Sequence, residues 1–314
     1  MISVDRSAVR LPPALDGDDS KAARELQAAR LHFQQQQDGS FPFKVYKDKT
    51  VKDALEQLFH GKCAYCETYY AGSQPGDVEH YRPKSVYWWL AASWENLLPS
   101  CIDCNRRRHQ QEVGGGTALL GKADQFPIAD ESKRAGKEGD ESHEQPLIFD
   151  PCRDRPEGFL LFGDGGEVKA RDGISELDRK RVEASLEVYG LNRNGLASQR
   201  RDHTVDLGGK MSTVGNAAKA WTTNHSETSR TELADLARQL LRKRDAKAAY
   251  AGLSRQFADP VLTRMRSFVE KHFGADLEKQ DGDPDDVLER FVERFATREV
   301  VKSQVQSALD ALAL

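Results

Sequence analysis

Two Cys-x-x-Cys pairs, Cys63/Cys66 and Cys101/Cys104, constrain this chain more than any other feature. Each pair offers two thiols from one tight turn, and two such knuckles complete the four-thiolate shell of a tetrahedral zinc ion. Cys152 stands alone, so the cysteine count of five is odd. An odd count in a chain without a secretory leader argues against a disulfide scaffold. A redox Cys-x-x-Cys is the competing reading. One motif would serve that purpose, however, and no thioredoxin-like βαβ pattern flanks either pair. Structural Zn2+ is expected, and Cys152 reads as a buried thiol.

The 314 residues suffice for two ordinary domains or for one domain with large attachments. Lys plus Arg (46) nearly balance Asp plus Glu (50), and the net charge is −4. No global basic field therefore draws the whole protein onto nucleic acid. Leu, Val, Phe and Trp recur along the chain, which argues against disorder. No run approaches the ~18–20 consecutive apolar residues of a membrane helix. The opening MISVDRSAVRLPPALDGDDS lacks the apolar core of a secretory signal. A soluble cytoplasmic protein with no membrane partner is expected.

Residues 19–37 have helical spacing, with Asp19 or Ser20 as cap. Thr50–His60 is a second predicted helix, capped by Thr50, striped by Val51, Leu55, Leu58 and Phe59, and stopped by Gly61. Between the knuckles, DVEHY alternates like a short strand, and NRRRHQQ after the second knuckle reads as a helix start. The spacer holds three of the four tryptophans, Trp88, Trp89 and Trp94, for which core packing ranks ahead of base stacking. Residues 114–145 are loop-like, and PLIFDPC is a buried strand or extended run. GFLLFGDGGEVKA reads as a hairpin around Asp164-Gly165-Gly166, followed by a helix over Ser175–Tyr189 with a box-like start. Residues 202–229 are polar and low in pattern. Thr231–Leu253, Pro260–Phe273 and Asp285–Leu312 are amphipathic helices.

The segment between the knuckles carries the chemistry. Hydrolysing a phosphodiester with one metal ion requires a base for water, a hard cation for the phosphate, and a group that orients the base. His80 is the natural base, because a neutral imidazole is available near pH 7. Glu79 supplies an oxygen ligand suited to Mg2+ or Mn2+, and the Asn105 carbonyl a second. Asn96 can accept a hydrogen bond from the His80 ring N–H and fix its tautomer. The Arg106, Arg107, Arg108 run would ordinarily be a solvated face. At a helix start beside Asn105 it becomes a phosphate contact. The remaining histidines, such as His60 and His203, lack sequence partners and read as structural or exposed.

These residues resemble a known family. DVEH at 77–80, WENL at 94–97 and CNRRR at 104–108, laid between two Cys-x-x-Cys pairs, are similar to the pattern of HNH endonucleases with the ββα-metal fold. The resemblance implies His80 as general base, Glu79 and Asn105 as holders of the catalytic metal, and Asn96 as orienter. It further implies Asp77 as buttress and Arg108 as the cation facing phosphate. Many members have His where Asn105 stands, and His109, one helical turn on, could take part instead. KCAYCE, DVEHYRPK, NLLPSCIDCN, PLIFDP and YGLNR also resemble the HNH subunit of Septu-type antiphage systems and related retron defence modules, whose nuclease works with an ABC-type ATPase.

An α+β protein is thus expected, a zinc-pinned ββα-metal (HNH) core embedded in a predominantly helical chain. Residues 1–60 would be an N-terminal helical region and 61–113 the nuclease core. Residues 114–205 would extend it with loop, β-hairpin and helix, and 206–314 would be a helical region for partner binding. The expected substrate is nucleic acid, DNA ahead of RNA. The alternative is a catalytically inactive, zinc-stabilised nucleic-acid-binding or assembly subunit.

Overall fold

A computed structural model describes residues 1–35, 40–72 and 76–297. The Gln36–Gln37 end expected for the first helix, and the part of the expected last helix beyond 297, lie outside the described residues. The chain divides into two compact units: Met1–Val205 with Asp245–Gln256, and Asp206–Arg244 with Phe257–Leu314.

In the first unit, helix α1 (Lys21–Gln34) starts where the Ser20 hydroxyl accepts the Ala23 N–H at 3.1 Å. Helix α2 (Lys49–Phe59) begins one residue before the expected start, on Asp48 rather than Thr50. The Asp48 carboxylate accepts both the N–H and the hydroxyl of Thr50 (2.9 and 2.8 Å). A charged acceptor at the positive end of the helix dipole outcompetes a neutral hydroxyl. His60 and Gly61 then reverse the chain in the left-handed region, with φ of 54° and 71°. A Cβ on Gly61 would lie 2.9 Å from the Ala71 Cβ, so only glycine fits this turn into the first knuckle.

Strand β1 (Asp77–His80) pairs antiparallel with β2 (Leu97–Ser100), with His80 opposite Leu97 and Asp77 opposite Ser100. Val51, Leu55 and Leu58 of α2 are buried, and the helix packs on β2. The second knuckle continues into α3 (Ile102–Asn105), a single turn. The expected helix does not run through the arginines. The backbone enters β3 (Arg108–Gln111), which pairs with β4 (Thr117–Leu120) across a turn at Gly114, Gly115 and Gly116, all at positive φ. The cause is capture of carbonyls. Continuing the helix would offer the oxygens of Cys104 and Asn105 to the next turn. Instead they accept the N–H groups of Lys122 (2.9 Å) and Ala123 (2.6 Å).

The expected hairpin forms as β5 (Leu160–Phe162) and β6 (Val168–Ala170). The PLIFDPC run is extended, with Ile148 and Phe149 fully buried. Helix α4 (Glu176–Val188) has the expected reciprocal start: Ser175 Oγ accepts from Asp178 N and donates to Asp178 Oδ2.

Helix α5 (Asn194–Asn224) is 31 residues long and includes most of the segment expected to be patternless. Its apolar stripe is thin: Leu207, Met211, Val214, Ala218 and Trp221 recur at spacings of three or four among polar residues, and packing rather than amphipathicity holds it. Helix α6 (Glu227–Arg244) ends earlier than expected. Helix α7 (Ala251–Phe273) begins nine residues before Pro260, which lies inside it. Helix α8 (Val287–Phe295) is capped by Asp286. In the second unit, Leu233, Ala237 and Leu240 of α6, Leu262, Val269 and Phe273 of α7, and Leu288 and Phe291 of α8 share one buried cluster. Among the described residues the fold is thus a helix-rich mixture with three small two-stranded sheets.

Candidate metal centre and adjoining cleft

The two knuckles converge. The ligand atoms of Cys63, Cys66, Cys101 and Cys104 all lie within 4.8 Å of one another, and all four residues are buried and free of disulfides. Among the described residues this is the one group of three or more His, Cys, Asp or Glu side chains near enough to share an ion. A tetrahedron with Zn–S bonds of about 2.3 Å has edges of about 3.8 Å. The sulfurs of Cys66 and Cys101 are 3.8 Å apart. The cluster could hold a zinc ion. Local backbone bonds shape the first knuckle (Cys63 N to Thr68 O, 3.0 Å), and Ala64 N to Pro99 O (2.9 Å) ties it to β2.

Arg193, in the YGLNR motif, caps this centre. Its guanidinium donates to the sulfurs of Cys104 (3.4 Å) and Cys101 (3.8 Å) and to the Gly190 carbonyl (3.0 Å). Burial works against its charge, but the surrounding sulfurs hold its pKa above the ordinary arginine value. Nothing in the residue's local sequence announced this role.

Beside the centre lies a cleft of about 420 Å³ walled by β1, Asn105 at the end of α3, Tyr46, Lys47, Lys52 and Lys84. His80 lines it and is 7% exposed. Its Nε2 lies 2.9 Å from the Ala91 carbonyl, which can only accept. The proton is therefore on Nε2, and Nδ1 is the ring's acceptor. Burial lowers the His80 pKa to about 3 against the raising effect of the Ala91 bond, and Lys84 and Lys122 add to the lowering. The imidazole is neutral across the physiological range. Tyr46 packs against its face, ring centroids 4.6 Å apart.

Asn96 does not reach the ring, contrary to expectation. Its Oδ1 accepts from Arg82 N (2.7 Å), and its Nδ2 donates to the carbonyls of Arg82 (2.9 Å) and Leu90 (3.2 Å). All its hydrogen-bonding atoms are spent clasping the 82–90 loop, and the Ala91 carbonyl takes the place foreseen for it. Asn96 acts on His80 through the loop that carries this carbonyl.

The acids of β1 are internally balanced. Asp77 receives both Arg106 Nη2 (2.8 Å) and Nε (2.9 Å), together with the Asn105 amide (3.0 Å). Partial burial opposes its ionisation, but these hydrogen bonds outweigh it and hold the Asp77 pKa below the usual range. Glu79 is 2% exposed; Lys122 Nζ meets its Oε1 and the Tyr65 hydroxyl its Oε2, each at 2.5 Å. Lys122 also donates to the His80 carbonyl at 2.7 Å. Tyr65, from the first knuckle, stacks on Tyr189 at 3.7 Å. Lys122 and Tyr65 were not foreseen. Lys122 falls in a glycine-rich stretch with no periodic signal, and Tyr65 is visible only as the spacer of KCAYCE.

Of the foreseen residues, the cleft gathers Asp77, Glu79, His80, Asn105 and Arg106. Arg107, Arg108 and His109 do not line it. With α3 ended at Asn105, the arginines follow a helix rather than start one, and His109 is exposed on a strand rather than one helical turn on. Arg108 pairs with Asp103.

No protein-family model matches the chain. It is similar to Septu protein PtuB of Bacillus mycoides, with 36% identity over 220 residues covering 66% of this chain and 68% of that protein. The chain belongs to the Septu PtuB family. It is a component of a Septu-type antiphage defence system. Septu protein PtuB of Bacillus thuringiensis is 40% identical over 65 residues, 20% of this chain and 25% of that one. Septu protein PtuA of B. mycoides is 26% identical over 160 residues, covering 46% of this PtuB-family chain and 20% of that protein. No described helix is long and apolar enough to cross a membrane.

Proposed function

We propose that this chain is a metal-dependent endonuclease of HNH type, hydrolysing phosphodiester bonds of nucleic acid in the cleft around His80. The observation that carries this reading is the state of His80: a buried neutral imidazole, its Nε2–H fixed by a backbone carbonyl and its Nδ1 left as acceptor, beside the carboxylates of β1 and the Asn105 amide at the end of α3. In this reading Nδ1 takes the proton of the attacking water. The substrate phosphate, itself an anion, raises the basicity of the ring when it enters.

A divalent Mg2+ or Mn2+ ion, when bound, would stabilise the charge developing on the phosphate and leaving oxygen. The oxygens of Asn105 and Glu79 would hold it, which requires Lys122 to yield Glu79 Oε1. Asp77 buttresses Asn105 by accepting its amide N–H, so that the amide oxygen is the atom available to a cation. Asn96 keeps the loop that fixes the His80 tautomer.

The resemblance to Septu-type modules implies an ABC-type ATPase subunit as partner, and we assign residues 206–314 to that contact. The test of the enzymatic reading is incubation of the purified chain with plasmid, single-stranded DNA and tRNA. Cleavage should require Mg2+ or Mn2+, stop with chelator, and vanish in His80→Ala without loss of zinc. A His80→Ala chain that cuts at the full rate would overturn it.

One observation favours the second reading, a non-catalytic binding or assembly subunit: both Glu79 oxygens are already engaged by Lys122 and Tyr65. Absence of cleavage under every metal, with nucleic-acid binding intact, would decide for it.

A further inference from the structure

The cleft collects more cations than its acids can pair. Arg106 is spent on Asp77, and the adjoining Lys122 on Glu79. Lys47, Lys52 and Lys84 line the same wall and form no ion pair among the described residues, and Asp124 is the one further carboxylate there. The three lysines come from separate places: the turn before α2, the first turn of α2, and the segment just after β1. Two of them converge on one aromatic ring. Lys47 Nζ and Lys84 Nζ lie 5.3 and 5.4 Å from the Tyr46 ring centre, and that ring packs against His80. Gathering ammonium groups beside a buried base costs free energy through mutual repulsion. An anion shared among them repays that cost.

We infer that Lys47, Lys52 and Lys84 form the grip on the nucleic-acid phosphate backbone next to the scissile bond, in place of the Arg106–Arg108 run. This rests on the nuclease reading above and adds to it the residues that hold the substrate. The arginines are badly placed for that task. Arg106 is bound in two-point contact to Asp77, Arg108 pairs with Asp103, and neither Arg107 nor Arg108 lines the cleft. The lysines are exposed or half-buried at the mouth, so their charges are available. Tyr46 fixes where two of them sit relative to His80, which sets the register of the backbone against the base. The phosphate contacts are blind to sequence, because ammonium groups read charge and not base edges.

The test uses the full-length His80→Ala chain, so that cleavage does not consume the probe. Its affinity for a fluorescein-labelled DNA duplex, and for the single strand of the same sequence, is measured across a salt series. The parent is compared with Lys47→Gln/Lys52→Gln/Lys84→Gln and with Arg107→Gln/Arg108→Gln, all checked for equal zinc content and melting temperature. The lysine variant should bind the duplex at least ~10-fold more weakly at low salt, with a salt slope reduced by about 0.9 for each ammonium that met a phosphate. The arginine variant should match its parent.

If the wild type cleaves but the lysine variant keeps parental affinity and slope, the grip is wrong and the nuclease reading stands. If the lysine variant loses binding while the wild type cleaves under no metal, the nuclease reading fails and the grip stands. If the parent binds neither probe at low salt, the grip is overturned.

Discussion

The four-cysteine centre and the cleft beside it meet at α3, where Cys104 is followed by Asn105, and their charges are balanced in opposite senses. The centre brings together four thiols, thiolates once they hold an ion, and offers them one built-in cation, Arg193. It is short of positive charge, and a divalent soft-ligand ion satisfies it. In the cleft, each β1 acid already has a protein cation, Asp77 with Arg106 and Glu79 with Lys122, while Lys47, Lys52 and Lys84 form no ion pair among the described residues. The cleft is short of negative charge. Adjoining sites can therefore call for ligands of opposite sign, because the four thiols of one have Arg193 beside them while the β1 carboxylates of the other are already paired.

The largest expected effect breaks the centre. Cys101→Ser should abolish zinc binding and, with it, folding of the surrounding turns. Structural zinc in small peptide sites contributes about 10–16 kcal/mol. Metal analysis and thermal unfolding should both change, and a variant with full thermal stability and no zinc would contradict the claim that metal and fold are coupled.

Next comes the balance of the cleft. Lys122→Met leaves Glu79 buried and unpaired and should cost about 3–5 kcal/mol in denaturant unfolding. Lys122→Met/Glu79→Gln should recover most of that loss, since no uncompensated charge remains. Equal loss in the single and double variants would mean that the ion pair is not what Lys122 contributes.

Arg193→Gln sharpens the account of the centre without removing a ligand. Outer contacts of this type are worth about 10–100-fold in metal affinity. Zinc transfer to a chromogenic chelator should accelerate correspondingly, with the four thiols still titratable. An unchanged release rate would assign Arg193 to backbone packing alone.

The most gradual effect concerns pH. The His80 pKa is about 3 in the folded protein against an ordinary value of 6.5. Between those values the unfolded chain carries a proton that the folded one does not. The stability gained by burying a neutral ring is complete above pH 6.5 and is lost progressively on acidification through that window. His80→Gln should therefore flatten the dependence of unfolding free energy on pH by up to about 1.4 kcal/mol per unit. Acid protonation of the thiols is common to both proteins and cancels. Identical slopes would mean that the ring is solvated.

Much of the first unit was legible because its signals are local. The Cys-x-x-Cys spacing, the Ser175-x-x-Asp178 start and the Asp164-Gly165-Gly166 turn are each decided within a few residues. The errors fell where a distant group intervened. The helix after Asn105 stopped because Lys122 and Ala123 took its carbonyls. Asn96 was diverted from His80 because a backbone carbonyl lay nearer the ring and the loop needed a clasp. In α5, polar composition hid a thin stripe that becomes a buried face only when α6, α7 and α8 are present to cover it.

The sequence by itself determined the four clustered thiols, the short strand at 77–80 and the starts of α1 and α4, because spacing and capping are properties of a few consecutive residues. Tertiary structure alone decided which acid is neutralised by which cation, which oxygen accepts the His80 Nε2–H, and which lysines line the cleft without an ion pair among the described residues. Those outcomes depend on groups well separated along the chain, from His80 with the Ala91 carbonyl to Asp77 with Arg106 and Lys122 with Glu79. At such separations it is the packing of the whole unit that brings charges within reach and removes the water that would otherwise screen them.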